Sequence, residues 1–276
     1  MKKQSEAEFL KSYDASAYDR PSVTVDMVIF TVADAPPQNY RKLPEKQLQI
    51  LLIQRGKHPF RDHWALPGGF VGMNETLDQA AARELAEETG VRGVYMEQLY
   101  TWGDPGRDPR TRVISCSYMA LIDAARIRLA AGDDAADARW FTIQQPGTER
   151  QRSDRIAVET NSAALSGHCA TLRSRLLCLT SGEIEITAKH LAFDHARIIR
   201  YALDRLRNKL DYTDIAFHLL PKHFTLTQLQ QVYETILGHA LLKPNFRRQM
   251  KHRIIDTGQL TDAVGHRPSR LFKVNR

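Results

Sequence analysis

Three glutamates in one short segment are the residues of this chain best suited to chemistry. Glu84, Glu87 and Glu88 lie in the run RELAEETG, whose Ala, Leu and Glu content predicts a helix. On a helix they sit at about 0°, 300° and 40° around the axis, so the three carboxylates share one face. Such like charges destabilise a helix by about 0.2–0.5 kcal/mol per pair, and a bound divalent cation would remove that repulsion. Carboxylate oxygens suit Mg²⁺ or Mn²⁺, which can screen a diphosphate and orient an attacking water.

The alternative is a solvated acidic helix without a ligand, and the flanking residues favour the metal site. The segment from Gly69 to Val91 has the form Gx5Ex7REUxEExGU, in which U is aliphatic. It resembles the Nudix box at every fixed position. The resemblance implies an α/β Nudix fold, a mixed sheet between helices, that hydrolyses a nucleoside diphosphate linked to another group.

The Nudix resemblance also implies roles for the box residues. The three glutamates would be the catalytic and metal-binding carboxylates, and Arg83 would pair with Glu75 to fix the loop and the helix. The backbone at Gly68 and Gly69 is free of side-chain bulk and can lie close to metal or phosphate.

Arginines outside the box are candidate substrate contacts. Arg55 ends an apolar run, and the Pro/Gly-rich segment GDPGRDPRTRV supplies Arg107, Arg110 and Arg112. Planar guanidinium groups suit phosphate recognition, although a solvated turn explains any single one of them equally well.

Aromatic and acidic residues near the box leave further alternatives open. Phe60, Trp64 and Trp102 could stack on a base, but aromatic residues are more often part of a core. Asp104 or Asp108 could supply an additional acid, and the sequence does not choose between them.

The elements that would position these residues form an α/β domain, which we predict over residues 1–190. Apolar runs predict strands, and the run ETLDQAAARELAEETG between the second and third strands predicts one helix that ends at Gly90. The predicted strands are Ser22–Val32, Gln47–Arg55, Tyr95–Trp102, Thr111–Ile122 and Ala138–Ile143.

Residues 144–190 are predicted to be an atypical insertion or extension of that domain. The alternation from Glu183 to Ile186 after Ser181 and Gly182 indicates a hairpin added to the first domain. His168 and Cys169 lack a second pair at ligand spacing, so a metal site there has little support.

The pattern turns helical from Leu191, and we predict a second domain over residues 191–276. Apolar residues spaced three and four apart predict one buried stripe on a helix from about Phe193 to Leu210. Thr225 and Gln228 match a capping box, so another helix should begin there and stop at Gly238.

The following helix has an apolar stripe and a basic outer face. Pro244 suits its first turn, and Phe246, Met250 and Ile254 recur every four residues. Two short strands with a turn should follow, which makes a winged helix. Its predicted DNA contacts are Lys243, Arg247, Arg248, Lys251 and, in the turn, Arg267.

The net charge supports a polyanion partner. The whole chain carries +7, and residues 191–276 hold 15 Lys and Arg against 7 Asp and Glu, so the excess is C-terminal. On pattern alone, a helical dimerisation domain with a solvated basic face is an equal alternative.

A second resemblance favours DNA binding. HLLPKHFTLTQLQQVYETILG, NFRRQM and HRPSRLF are similar to the C-terminal winged helix of the Nudix-related transcriptional regulators of the NrtR type, and LAFDHARII, DRPSVTVD and the GDPxRDPR loop extend the match. It implies a homodimer that binds palindromic operators near genes of NAD metabolism. Binding of ADP-ribose or a related nucleotide would release this dimer from the DNA. Some members keep the hydrolase box and others have lost it. The competing hypothesis is an ADP-ribose or nucleoside-diphosphate pyrophosphatase whose C-terminal domain serves dimerisation.

Composition sets the remaining expectations. The 276 residues are 42% hydrophobic and 26% charged, and no apolar run reaches the ~18 residues of a membrane span. The three cysteines show neither a disulfide pattern nor zinc-ligand spacing. We therefore expect a cytoplasmic protein with reduced thiols and no membrane partner.

Overall fold

The computed structural model describes residues 5–35, 44–126, 135–144, 177–181, 184–261 and 268–275. Nine strands of these residues belong to one sheet, and two further strands form a separate hairpin. The large sheet contains β1 (Ser22–Asp34), β2 (Lys46–Arg55), β3 (Trp64–Ala65), β4 (Gly68–Phe70), β5 (Tyr95–Trp102), β6 (Val113–Leu121), β7 (Ala135–Ile143), β8 (Cys178–Ser181) and β9 (Ile184–Thr187); the hairpin is β10 (Ile254–Leu260) and β11 (Arg270–Val274).

Five α-helices occur among the described residues. They are α1 (Glu6–Ser12), α2 (Leu77–Thr89), α3 (His195–Lys209), α4 (Leu226–Leu237) and α5 (Lys243–Met250). Short 3₁₀ turns cover Ala15–Ala17, Ala124–Arg126, Ala188–His190 and Ile215–Leu219. None of the helices in the described part of the chain has the length and apolar character needed to cross a bilayer.

The large sheet is mixed, as predicted. Its order is β5-β6-β1-β2-β7-β8-β9, with β3 against β2 and β4 against β1. β1 runs parallel to β6, from the pair Ser22 and Val113 to the pair Phe30 and Leu121, and antiparallel to β2 and β4. The five predicted strands are confirmed with small changes at their ends, and so is the fold class.

The central strand β1 is buried on both faces. Val25, Met27 and Ile29 point to the side covered by α2, while Val28 and Phe30 point to the opposite side. This alternation is the period of two that a strand imposes. The sheet therefore packs against helices on both faces.

The core on the second face continues into the C-terminal helices. The predicted stripe of α3 is confirmed, because Ile199, Leu203 and Leu206 are buried against the sheet side of the core. Phe246 and Met250 of α5 belong to the same continuous cluster. The helices that follow residue 191 thus share a hydrophobic core with the sheet.

The predicted hairpin is also confirmed. β8 pairs with β7, and β9 pairs with β8 through Leu179 and Ile186, so the hairpin extends the sheet. The predictions for His168 and Cys169 lie outside the described residues.

Candidate functional site

The helix that carries the three glutamates, α2, has defined ends. The Thr76 side chain accepts from the backbone of Gln79, and the Gln79 side chain accepts from the backbone of Thr76, which makes a capping box. Gly90 ends the helix with φ 69°, a left-handed conformation that favours glycine. The predicted helix and its stop at Gly90 are confirmed.

Three carboxylates of the box, those of Glu75, Glu84 and Glu87, contact the guanidinium group of Arg83. Arg83 Nη2 donates to Glu75 Oε1 at 2.9 Å, which is the predicted pair, and Arg83 Nη1 donates to Glu84 Oε1 at 2.7 Å and to Glu87 Oε2 at 3.3 Å. Glu84 and Glu88 are buried, whereas Glu87 is exposed. In this arrangement a side-chain cation already offsets part of the repulsion among the glutamates.

Burial affects the chemistry of Glu84. Desolvation raises the pKa of this carboxyl, and the hydrogen bond from Arg83 acts in the opposite direction. A divalent cation beside Glu84 would favour its charged form and so relieve the cost of burial.

Within the described residues, no three acidic, histidine or cysteine side chains are grouped as a ready metal site. Glu84, Glu87 and Glu88 nevertheless offer the hard oxygen donors that Mg²⁺ and Mn²⁺ prefer, on one helix face. The donor set therefore fits such an ion, and binding would require Glu84 and Glu87 to turn from Arg83 toward the metal.

Two glycines hold the backbone of β4 close to this helix. A Cβ atom on Gly69 would lie 2.3 Å from Oε1 of Glu84, and one on Gly68 would lie 2.2 Å from the carbonyl oxygen of Val25. Both distances are far inside van der Waals contact. At Gly68 a side chain would collide with the backbone of β1, so this position requires glycine, whereas at Gly69 a side chain would have to move the end of the Glu84 side chain.

A cleft of about 250 Å³ lies beside Gly68 and Gly69. Arg55, Arg107 and Arg110, the predicted substrate contacts, all line it, and the chain brings them there from β2 and from the loop between β5 and β6. The structure therefore places the three arginines and the two glycines around one cavity.

Two of these arginines are already bonded to carboxylates. Arg107, whose side chain is only 6% exposed, contacts Asp26 Oδ2 at 3.3 Å and Asp194 Oδ1 at 2.6 Å. Arg110 Nη2 contacts Asp108 Oδ2 at 2.7 Å, and its hydrogen bond is the main cause that lowers the pKa of Asp108. A phosphate that binds either guanidinium must compete with these acids.

The structure separates the two aspartates that the sequence left equivalent. Asp108 is buried in the wall of the cleft, whereas Asp104 is exposed and forms an ion pair with Arg197 of α3. An acid outside the box that acts in the cleft can therefore be Asp108 but not Asp104.

The three aromatic residues that could stack on a base differ in their burial. Trp64 and Trp102 are buried core residues, as the alternative interpretation held. Phe60 is partly exposed, and its ring lies 4.7 Å from that of Phe193, which lines the cleft.

Four residues of the site were missed by sequence reasoning. Asp26 lies on β1, and Phe193, Asp194 and His195 are consecutive residues at the start of α3. Phe193 has φ 51°, which a non-glycine residue rarely adopts. The only signal for the last three was the segment LAFDHARII, which we interpreted as a domain junction and not as a wall of the cleft.

His195 is held neutral at the back of the cleft. Its Nδ1 accepts the backbone N–H of Leu66 at 2.9 Å, so the ring proton of the neutral form is on Nε2, 3.6 Å from Asp26 Oδ1. Burial lowers the pKa of His195, and this effect outweighs the opposite influence of Asp26.

The C-terminal residues form two helices followed by a hairpin. Thr225 and Gln228 make the predicted capping box, and Gly238 ends α4 with φ 78°. Phe246 packs on Tyr233 with ring centroids 5.2 Å apart, which joins α5 to α4. Ile254 does not continue the α5 stripe as we expected, because the helix ends at Met250 and Ile254 opens β10.

The outer face of α5 is basic. Lys243, Arg247, Arg248 and Lys251 are all exposed. Arg267, the predicted contact in the turn, lies outside the described residues. The exposed basic face and the hairpin next to it have the arrangement of a winged helix.

Comparison with known proteins identifies both parts of the chain. Residues 43–159 match the family described as NUDIX domain, and residues 216–274 match the NrtR DNA-binding winged helix domain. The ADPR responsive transcriptional repressor NtrR of Acinetobacter baylyi is 34% identical over 272 residues, which cover 98% of this chain and 88% of the relative.

Two further proteins resemble parts or most of the chain. An ADP-ribose pyrophosphatase of Methanocaldococcus jannaschii is 39% identical over 134 residues, which cover 49% of this chain and 68% of the relative. The crystal structure of Shewanella oneidensis NrtR complexed with a 27mer DNA is 30% identical, with a TM-score of 0.62 and a coverage of 92% of this chain and 93% of that chain.

Proposed function

The chain belongs to the NrtR family of Nudix-related transcriptional regulators, and from this premise we propose that it is a DNA-binding regulator whose Nudix domain binds ADP-ribose and hydrolyses it. One observation supports this most directly: the cleft beside the Nudix box is lined by Phe193 and by His195, the first residue of the helix that leads to the winged helix. A ligand in the cleft therefore contacts the element that joins the two parts.

The regulated genes would be those of NAD metabolism, because the family's ligand is a product of NAD turnover. The proposed division between the Nudix domain and the DNA-binding domain lies between residues 190 and 191. The hairpin of β8 and β9 then belongs to the first domain, and α3 belongs to the second.

The complete box supports retained hydrolysis. Glu84, Glu87 and Glu88 would hold Mg²⁺ or Mn²⁺, and the bound metal would stabilise charge on the diphosphate and make water more nucleophilic. Arg83 and Glu75 fix the loop relative to the helix, and Gly68 and Gly69 line the cleft that would receive the diphosphate. Water would cleave the pyrophosphate bond of ADP-ribose to give AMP and ribose 5-phosphate.

Arg55, Arg107 and Arg110, which line the cleft, would bind the phosphates. Guanidinium groups form paired hydrogen bonds with phosphate oxygens, which supports this assignment. Because Arg107 and Arg110 also contact aspartates, part of the affinity for a phosphate is offset by the loss of those contacts.

DNA would be bound by α5 in the major groove, with Lys243, Arg247, Arg248 and Lys251 as contacts and Arg267 in the wing as a further one. A homodimer on a palindromic operator would place two such helices on successive turns of one DNA face.

A second function is favoured by the similarity of the first half to an ADP-ribose pyrophosphatase. In that hypothesis the C-terminal domain would serve only dimerisation. The exposed basic face of α5 favours the regulator, because a substrate anion needs positive charge at the cleft and not on a separate domain.

The test is a selection of genomic DNA fragments on the purified full-length protein, followed by footprinting of the best fragment with and without ADP-ribose. We expect a discrete palindromic footprint that weakens when ADP-ribose is added. Turnover of ADP-ribose without any specific footprint would contradict the regulator and support the pyrophosphatase.

A further inference from the structure

Asp194, the N-cap residue of α3, does not cap its own helix. An aspartate at this position normally accepts a hydrogen bond from a backbone N–H of the first turn. Here its side chain makes no such bond, whereas Thr76 and Thr225 do cap α2 and α4. Asp194 Oδ1 and Oδ2 instead lie 2.6 Å and 3.0 Å from Nη2 and Nε of Arg107. The backbone of Asp194 has ψ 18°, whereas the capping residues Thr76 and Thr225 are extended, so capping of α3 by Asp194 would require both the loss of Arg107 and a change in this backbone.

Arg107 lies between two acids in the wall of the cleft. Its Nη2 also contacts Asp26 Oδ2, which accepts the Ser115 hydroxyl at 2.6 Å. Asp26 is on the central strand β1, paired on both sides, and cannot move far. Asp194 follows Phe193, whose backbone is in a rarely populated conformation, at the end of a connecting segment. If another anion binds Arg107, we therefore expect the ion pair with Asp194 to break and the one with Asp26 to remain.

The C-terminal half of α3 contacts the first long helix of the winged-helix domain, α4. Arg207, three turns further along α3, donates from Nε to the backbone carbonyl of Ile236 near the end of α4 at 3.1 Å. Leu203 and Leu206 of α3 belong to the same buried cluster as Val232 and Ile236 of α4. α3 therefore lines the cleft at its first turn and contacts α4, the helix that packs on α5, near its last turn.

We propose that the Arg107–Asp194 ion pair couples the Nudix cleft to DNA binding. In this mechanism a phosphate of the ligand displaces Asp194 from Arg107. The released Asp194 side chain then caps α3, and the first turn of α3 changes its position relative to the DNA-binding domain. The inference rests on the proposed function, because it gives the residues through which ADP-ribose acts on the DNA complex.

The decisive variant is Asp194→Ser in the full-length chain. Serine is as good an N-cap as aspartate but too short to reach Arg107, so the variant is held in the capped state. Asp26 still balances the charge of Arg107, which keeps the variant foldable. The probe is the α,β-methylene analogue of ADP-ribose. Its two phosphorus atoms are joined by a methylene group, so the enzyme cannot hydrolyse it. Its affinity is measured by calorimetry, and DNA affinity is measured by fluorescence anisotropy on the operator fragment.

In the wild type the analogue should weaken DNA binding, and couplings of this kind are on the order of 5- to 150-fold. Asp194→Ser should bind the analogue and should bind DNA weakly from the start, with a further change of less than about twofold on addition of the analogue. The matched control is Asp104→Asn, which removes an exposed ion pair between the same loop and the same helix and should keep the wild-type response.

The outcomes distinguish the inference from the proposed function. A full response in Asp194→Ser would overturn the role of the pair while the regulator stands. A wild type that binds neither operator DNA nor the analogue would overturn both. If Asp194→Ser does not fold, Asp194→Asn serves instead, since the amide keeps the shape and the cap but loses the charge that Arg107 attracts.

Discussion

The carboxylate of Glu84 occupies the space in which a side chain on Gly69 would begin. A Cβ atom at this position would lie 2.3 Å from Oε1 of Glu84. Gly69 and Glu84 are 15 positions apart in the sequence, but they lie side by side in the structure. The position of this buried carboxylate depends on the glycine.

Gly69→Ala should therefore impair hydrolysis. The methyl group must move the Glu84 carboxylate out of its present position, which would disturb the proposed metal site. We expect a fall in kcat for ADP-ribose of at least about 10-fold with DNA binding retained. The control is Gly103→Ala, where the nearest atom to a new Cβ lies 3.9 Å away. Equal rates for the two variants would contradict the contact.

Glu88→Gln should abolish turnover without unfolding the protein. The change removes one buried negative charge from the face of α2 that would hold the metal, while the shape of the side chain is kept. We expect a loss of at least about 100-fold in kcat and unchanged operator affinity without ligand. Glu6→Gln, an exposed change of the same type on α1, is the control. Undiminished turnover in Glu88→Gln would disprove the metal assignment.

Arg248→Ala should weaken DNA binding in a salt-dependent way. If its guanidinium neutralises one phosphate, the slope of log affinity against log salt should become less steep by about 0.9. The measurement is a salt titration of operator binding by anisotropy. Arg92→Ala removes the same charge from an exposed site outside α5 and should leave the slope unchanged. An unaltered slope in Arg248→Ala would count against α5 as the recognition helix.

Stability should fall at mildly acidic pH because of His195. Burial lowers the pKa of this ring below its usual 6.5, and the charged groups that face it are Asp26, Asp194, Arg107 and Arg55. The unfolded chain takes up the proton near pH 6.5, whereas the folded chain does so only at lower pH. The stabilisation is therefore complete above about pH 6.5 and is lost below it, at up to about 1.4 kcal/mol per pH unit.

The check is the free energy of unfolding from urea titrations between about pH 7.5 and pH 5.5. His195→Gln cannot take up this proton and should show a shallower pH dependence, whatever its absolute stability. His239→Gln, at an exposed site, should follow the wild type. A wild-type slope in His195→Gln would refute the assignment.

The sheet, the helices and the two-part organisation could be predicted from the sequence, because local patterns specify them. The alternation in β1 and the capping boxes of α2 and α4 depend on residues that are neighbours along the chain. The end of α5 was harder to locate. Ile254 continues a spacing of four from Met250, but it begins β10, where pairing with Val274 outweighs the helical periodicity.

The sequence by itself determined which chemistry this protein carries, since the glutamates, the arginine and the glycines of the box stand at fixed intervals on one loop and helix. Only the tertiary structure decided what Arg107 does. It brings together Asp26 from β1, Arg107 from a loop and Asp194 from the start of α3, which lie up to 168 positions apart. Buried charges must find partners wherever the fold places them, and no local pattern in the sequence records that pairing.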